Sequence, residues 1–390
     1  MRYEVIVVGG GMSGLSCALG LAQEGFKVAV VEAKKITRNF DVGNPTQRVS
    51  MINGASQALL KQLGVWQSIF NLRSNNCLGM EVWDQNSSAR LGLKAADCSL
   101  INLGVIVEND LIVSALYQKL DELDVCIFEQ TNVIEILQLS HYSVIKLKDG
   151  TKLESQLIIG ADGANSFIRN SLNFSCKLMA YEHYSIVANV KATELHQNTA
   201  YQRFLNNGVL ALLPLSDPYV CSIVYSVASE FLSGIKEMSD VVFGDYLSFI
   251  SEGVLGKLEV KSSRIIFELM ECHASQYYKE GVVLIADAAH TIHPLAGQGI
   301  NLGFSDVIAL IDVLVEAKRL RRNIADISTL AKYENKRRFN NQLMINMMRF
   351  LKQLFCNDNV CLIPLRALGM NFINKNTLLK WFFMENAAGL

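Results

Sequence analysis

The sequence is short of net charge, of charged residues in general and of long apolar runs, and each shortage excludes something. Thirty-six lysines and arginines nearly cancel thirty-seven aspartates and glutamates, leaving a net charge of −1. No surface field is therefore offered to a nucleic acid or another polyanion. Charged residues are only 19% of the chain and hydrophobic ones 50%, a ratio that builds a buried core and excludes disorder. No apolar stretch approaches the roughly 18 residues of a membrane span. The nine cysteines include no C-x-x-C pair, Cys356 and Cys361 being the nearest two; reduced, mostly buried thiols of a cytoplasmic protein are expected. Met1-Arg2-Tyr3 leads straight into a strand, so no signal peptide is expected. Internal repeats and low-complexity segments are missing as well.

What is present is a chain of 390 residues, enough for one large α/β domain and a smaller one. Glu4 to Val8 is a short β-branched run, followed by the glycine-rich turn 9–14, a small-residue helix from Leu15 to Gln23, and a second apolar run from Val28 to Val31. This is β-turn-α-β in about 30 residues. Met51 to Leu63 reads as helical and closes at Gly64. Residues 77 to 103 alternate like strands around Met80, Val82 and Trp83. A helix is predicted from about Asp110 to Leu123, with Asn109 or Asp110 as N-cap. Strands are predicted over 125–130, 143–148 and Leu157 to Ile159. Alternating runs at Tyr184 to Val190, Gly208 to Leu213 and Val220 to Val227 predict an antiparallel sheet. A buried strand follows at Gly281 to Ile285, then helices over about 303–318 and 328–355. The first domain is thus expected to be discontinuous, over 1–75, 102–182 and 268–342. The second spans 76–101 and 183–267, and a helical region covers 343–390.

Three motifs carry chemistry. Gly9-x-Gly11-x-x-Gly14 sits between strand and helix, with Met12 and Ser13 at the helix start and Glu32 at the end of the next strand. Glycines let the backbone approach a pyrophosphate, and the helix N-terminus offers it free N–H groups. An acid about 20 residues on can hold both ribose hydroxyls, which favours FAD or NAD over NADP. The second motif, Gly160-Ala161-Asp162-Gly163-Ala164-Asn165-Ser166-x-x-Arg169, follows a buried strand; alone it is as well read as an ordinary Asp-Gly turn. The third runs from Gly281 through Ala286-Asp287 and His290 to His293-Pro294-Leu295-Ala296-Gly297-Gln298-Gly299-Ile300-Asn301. A strand delivers Asp287 to its C-terminal end, where α/β sheets bind ligands. The loop that follows is flat enough to lie against a planar ring, and the helix start beyond it suits an electron-rich ring edge.

In this order and spacing the motifs resemble the para-hydroxybenzoate hydroxylase class of flavoprotein monooxygenases, and within it the ubiquinone-biosynthesis hydroxylases. The resemblance extends to Arg48-Val-Ser, Leu63-Gly64-Val65-Trp66, Gly104 to Asn109 and the ending Ala387-Ala388-Gly389-Leu390. It implies an α/β fold: a discontinuous Rossmann-like FAD-binding domain with an inserted, mainly antiparallel β substrate domain and a C-terminal helical segment. It further implies that Gly9, Gly11 and Gly14 hold the FAD pyrophosphate and Glu32 the adenosine ribose. Arg48 would reach the phosphates or the AMP half and Asn109 the ribityl chain. Asp162 and Gly163 match an Asp-Gly pair linked to FAD and reduced-nicotinamide handling, and Asp287 the ribityl or pyrophosphate region. Pro294 and the run Gly297, Gln298, Gly299, Ile300 and Asn301 would frame the isoalloxazine. One departure is visible, since many members have Gly-Asp where this chain has Ala286-Asp287; a methyl there is expected to be a modest change.

The implied activity is FAD-dependent hydroxylation of a polyprenylated quinol or phenol. The specific expectation is the last ring hydroxylation of 2-polyprenyl-3-methyl-6-methoxy-1,4-benzoquinol; an earlier ring position is the alternative. Molecular oxygen is the co-substrate, and NADPH, NADH or a protein supplies electrons, there being no second nucleotide motif. The chemistry belongs mainly to the cofactor, while the protein excludes water and holds the ring in place, a positioning effect of ~7–11 kcal/mol. A quinol ring is already electron-rich, so no catalytic base is assigned, and no metal. His290 and His293 are better read as braces of the loop than as acids or bases. The stripe Met344, Met347, Met348, Phe350, Leu351, Leu354 and Phe355 is expected to be core, with a lipid- or partner-facing surface as the minority reading. Basic runs at Lys318 to Arg322 and Lys336 to Arg338 fit that minority reading: a cytoplasmic protein peripheral to the inner membrane or attached to a quinone-biosynthesis complex. A non-catalytic flavin-binding scaffold of such a complex is the rival from another class. The three tryptophans, Trp66, Trp83 and Trp381, form no W-x-W-x-I-P pattern, which argues against a flavin-dependent halogenase.

Overall fold

The computed structural model describes residues 1–38, 40, 41, 43, 45–123, 125–292, 299–355, 359, 361–376 and 379–381, with the side chains of 178–181 excepted. Five parallel strands form the centre of an eight-stranded sheet, in the order Val282–Leu284, Lys152–Gly160, Arg2–Val8, Val28–Val31, Cys126–Phe128. Val5, Ile6 and Val7 are fully buried, as the β-branched residues of a sheet covered on both faces should be. Helices Met12–Gln23, Asn109–Asp121 and Gly299–Arg319 share this core. A Cβ on Gly20 would lie 2.4 Å from Ile311 Cδ1, so glycine there lets two of these helices approach closely.

A nine-stranded sheet forms the second layer. Its main path runs His290–Thr291, Ile265–Ala274, Cys176–Ala192, Val220–Ala228, Gly208–Pro214, Thr199–Leu205, Gly79–Asp84, Arg90–Lys94. Pairing is antiparallel except between Thr199–Leu205 and Gly79–Asp84. One face is covered by helices Ser229–Glu237 and Asp240–Ile250, whose Leu232, Ile235, Phe243 and Leu247 pack on Ile186, Ile223 and Tyr225. A small antiparallel sheet, Val49–Ile52, Gly104–Glu108 and Ser74–Cys77, completes the β structure.

Several expectations are corrected. Met51 and Ile52 belong to a strand, and the helix starts only at Gly54, capped by Asn53 accepting from the Ser56 N–H. The N-cap of the helix Asn109–Asp121 is Glu108 rather than Asn109 or Asp110. Strand Thr199–Leu205 and two helices in the inserted region were not legible, whereas the helix Leu362–Lys375 lies within the helical region expected over 343–390. The expected divisions at 182/183 and 267/268 fall inside strands Cys176–Ala192 and Ile265–Ala274, and that at 342/343 inside helix Ile327–Phe355. Nor are all thiols reduced: Cys176 and Cys272, on neighbouring strands with Cα atoms 6.1 Å apart, form a disulfide, a separation within bridging range. Burial pushes the thiols of Cys17 and Cys221 up to about 12 and that of Cys77 to about 11, leaving them unreactive near neutrality.

Candidate active site

The strand order explains why three separated motifs meet. Gly160 pairs with Val8 on one side and Leu284 on the other. The turns after these three parallel strands therefore emerge side by side at the carboxyl edge, and backbone bonds continue the ladder past it: Ala161 N to Val8 O, 2.8 Å, and Ile285 N to Gly160 O, 3.0 Å. The fit leaves no room for side chains. Gly9 has φ +115°, and a Cβ on it would lie 2.2 Å from Ala161 O; one on Gly14 would lie 2.0 Å from Gly9 O. Gly303 is tight in the same way, against Ser13 Oγ and the Ala286 methyl.

A cavity of about 600 Å³ opens at this edge. One glycine from each motif, Gly11, Gly163 and Gly299, lines it, and a Cβ on any of the three would meet nothing within 4 Å. Among the described residues, the bare backbone at these glycines thus faces open space rather than packed protein. Helix Met12–Gln23 begins at Gly11 with no side-chain cap, and Met12 and Ser13 line the same cavity. Ile300, at the start of helix Gly299–Arg319, lines it too. The first turns of two helices on one cavity suit an anionic, planar-ended ligand.

Charged groups converge on this space. Arg48 and Asn109 are set side by side by the pairing of Val49 with Glu108; Asn109 N donates to Arg48 O at 3.0 Å, and Ser50 Oγ donates to Asn109 Oδ1 at 2.7 Å. Buried Glu108 fixes this corner by accepting from Arg73 and from Thr46 Oγ1 at 2.9 Å. The Arg48 guanidinium lies 5.5 Å from the centre of the Phe267 ring. Asp287 faces the cavity, yet the surrounding protein pushes its carboxyl above the ordinary range, with His290 and Arg48 pulling it back. Desolvation likewise raises Asp110, against the pull of Arg48.

Other expected site residues are engaged within the protein. Glu32 accepts from Gly10 N at 2.5 Å and Lys34 N at 2.8 Å, so its carboxylate stands at the glycine turn but outside the cavity lining. Asp162 accepts from Ser166 Oγ and, at 3.1 Å, from Ile168 N; it anchors the short helix Phe167–Ser171, and burial raises its carboxyl. Buried Arg169 then joins the second motif to the third, donating to Ala164 O at 2.6 Å and Ala288 O at 3.2 Å. The Asn301 amide is spent on Ser56 Oγ and on the backbone of Met51 and Asn53; it fastens the helix rather than facing the cavity. His293, Pro294, Gly297 and Gln298 lie outside the described residues.

Sequence reasoning missed the group beneath the third motif. Asp306 is completely buried and accepts from His290 Nε2, from Arg337 Nε at 2.8 Å, from Asn341 Nδ2 at 3.1 Å and from Ala286 N at 3.0 Å. These partners outweigh its desolvation and hold the carboxyl down to about 2. The available signal was its place on the buried stripe of helix Gly299–Arg319, since a carboxylate there needs a partner.

Residues 2–347 match the model of the FAD binding domain family. The chain belongs to that family, and its cofactor is FAD. Over 390 aligned positions it is 33% identical to the 3-demethoxyubiquinol 3-hydroxylase of Escherichia coli K12, covering 99% of this chain and 98% of that protein. It is 31% identical to the human mitochondrial ubiquinone biosynthesis monooxygenase COQ6, covering 99% and 92%. Among solved structures it is similar in fold to p-nitrophenol 4-monooxygenase from Pseudomonas putida, with a TM-score of 0.80 at 17% identity over 99% of this chain and 97% of that one.

Proposed function

We propose that this flavoprotein hydroxylates the ring of a polyprenylated quinol in ubiquinone biosynthesis, at the last ring position to be oxygenated. The observation that carries the reading is one continuous cavity with two kinds of wall. Motif residues Gly11, Arg48, Asn109, Gly163, Asp287 and Gly299 form one; the other is part of the nine-stranded sheet's face opposite helices Ser229–Glu237 and Asp240–Ile250, with Met80, Ala200, Leu213, Val187, Val224 and Phe267. The full-length similarity to the two ubiquinone-pathway enzymes supports the same substrate class. Bound FAD supplies the redox chemistry, with electrons from NADH, NADPH or a protein donor and molecular oxygen as co-substrate.

The residues divide the work. Amides of Gly11, Met12, Ser13 and Gly14 hold the pyrophosphate, Arg48 neutralises it, and Glu32 takes the adenosine ribose once it turns from the Gly10 amide. Asn109 and Asp287 hold the ribityl side, and Gly163, Gly299 and Ile300 border the ring. Gly9 and Asp162 shape the turns, and Asn301 fixes the helix start. Pro294, Gly297 and Gln298 are assigned to the ring on sequence alone. The apolar sheet wall excludes water from the reacting centre and sandwiches a flat ring.

The lipid tail of such a substrate also calls for a membrane, and we assign this chain to the cytoplasmic side as a peripheral protein. Among the described residues no helix is long and apolar enough to cross a bilayer. Phe339, Leu343 and Phe350 on one helix and Leu365, Leu368 and Phe372 on the next are exposed. Lys336, Arg338 and Lys375 are exposed on the same two helices. Apolar stripes beside positive charges suit an anionic bilayer. Co-sedimentation with phosphatidylglycerol vesicles, lost in Phe339→Ser/Phe350→Ser, is expected; full retention by that variant would refute the contact.

Deleting the gene and identifying the accumulated precursor by mass spectrometry tests the main assignment. A precursor lacking only the final hydroxyl and its methyl ether is expected. Accumulation of an earlier intermediate would move the reaction to another ring position. Purified yellow protein that gives no oxygenated product with any donor would make it a scaffold instead.

A further inference from the structure

We propose that Gln202 is the residue by which this cavity recognises a ring oxygen of its substrate. The inference rests on the quinol reading above and deepens it. Tyr201 and Leu205 pack into the helix-covered core of the nine-stranded sheet, whereas Ala200 and Phe204 belong to clusters on its other face. Side chains alternate along a strand, so Gln202 faces with Ala200 and Phe204, toward the cavity it lines. Cross-strand register then sets it in one row, Val82–Gln202–Ala211–Val224–Val187. It is the only member of that row with a hydrogen-bonding side chain.

The residue is only 6% exposed, and its side-chain amide is not sealed within the protein: it opens on the cavity that the residue lines. A ligand that fills the cavity shuts this amide off from water, so one that supplies the hydrogen bond is favoured over one that leaves the amide unpaired. The chemistry of that ligand follows from the amide. It is neutral and offers both donor and acceptor, which matches a ring hydroxyl or carbonyl and not a carboxylate or phosphate. Ala211 beside it and Ala200 two residues before it are small, leaving width for a flat ring to reach the amide. A wall that hydrogen-bonds one oxygen also sets which ring carbon is presented, so Gln202 is a positioning and specificity residue. No proton transfer is asked of it.

The test compares holoenzyme with Gln202→Met, a near-isosteric apolar replacement, and with Gln202→Leu, so that either variant retaining FAD carries the comparison. The probes are a short-chain methoxy-methyl-benzoquinol and its analogue lacking one ring hydroxyl. Binding is read from the flavin absorbance, and turnover as product formed per reduced nicotinamide consumed. Wild type should prefer the quinol over the deoxy analogue about tenfold, the worth of one good hydrogen bond. The variants should bind both probes alike and waste more reductant, with FAD content and melting temperature unchanged. A variant that keeps the full preference and the wild-type product yield would overturn the proposal. Wild type that prefers the quinol but never oxygenates it would instead sink the functional reading, and the role of Gln202 would be decided on binding alone.

Discussion

Replacing Asp306 by asparagine should unfasten the third motif. The carboxylate is completely buried and joins the backbone of Ala286 to His290, Arg337 and Asn341. Asparagine keeps the shape but removes the charge, leaving the mostly buried guanidinium of Arg337 without its counter-ion. Breaking a buried pair from one side typically costs about 3–5 kcal/mol. Unfolding entropy of about 2.1 cal/mol/K per residue over 390 residues comes to about 0.8 kcal/mol/K. A loss of about 3 kcal/mol therefore lowers the melting temperature by about 4 °C. The acid limb of stability provides a second signature. The carboxyl is held at about 2 against an ordinary value of 3.8, so its contribution is complete above about pH 4 and is lost as pH falls from about 4 toward 2. That amounts to roughly 2 kcal/mol at about 1.36 kcal/mol per pKa unit. The side chain of Asp306→Asn cannot titrate, so the variant should lack this slope. Thermal melts of holo and apo protein from about pH 2.5 to 7, with flavin fluorescence reporting release of FAD, measure both. A midpoint within about 1 °C of wild type near neutral pH, with an unchanged acid limb, would refute the reasoning.

Three further outcomes follow from the same geometry. Gly11→Ala meets no protein atom, so the apoprotein should melt normally while FAD affinity falls at least tenfold; Gly9→Ala, with its Cβ 2.2 Å from Ala161 O, should fail to fold, and equal behaviour of the two would contradict the cradle. Ala286 sits at φ +52°, a left-handed conformation that costs a non-glycine residue about 1 kcal/mol. Ala286→Gly should therefore raise the melting temperature by about 1 °C without loss of FAD, and a lowered midpoint would show that the methyl packing against Gly303 matters more. Peptide mapping without reductant should recover Cys176 and Cys272 as one linked pair; two separately alkylated peptides would rule the bridge out.

The cofactor half of the site was readable because its chemistry lives in backbone. Gly9 and Gly14 mark places where a side chain cannot be, and Gly11, Gly163 and Gly299 places where bare backbone lines the cavity; such marks survive in a one-dimensional string. Their neighbours were less legible. Asp162 looked like a ligand contact, but its carboxylate is turned to Ser166 Oγ and the Ile168 amide, a choice that depends on which loop lies nearby. Asn301 was placed at the ring by its neighbours in the motif, yet it reaches Ser56 and Met51 across a long stretch of chain, their separations being 245 and 250 residues.

The sequence by itself determined that a dinucleotide is bound, that a second, antiparallel sheet is inserted in the first domain, and that the chain returns to its first sheet after a long excursion. Periodicity, glycine spacing and turn chemistry are local properties, and local properties can be read in order. Only the tertiary structure decided which strands lie side by side, and hence that three turns form one cavity, that Asp306 supports Ala286, that Cys176 meets Cys272, and that Gln202 faces inward. Each depends on register between segments far apart in the chain, where a slip of one residue reverses every side chain.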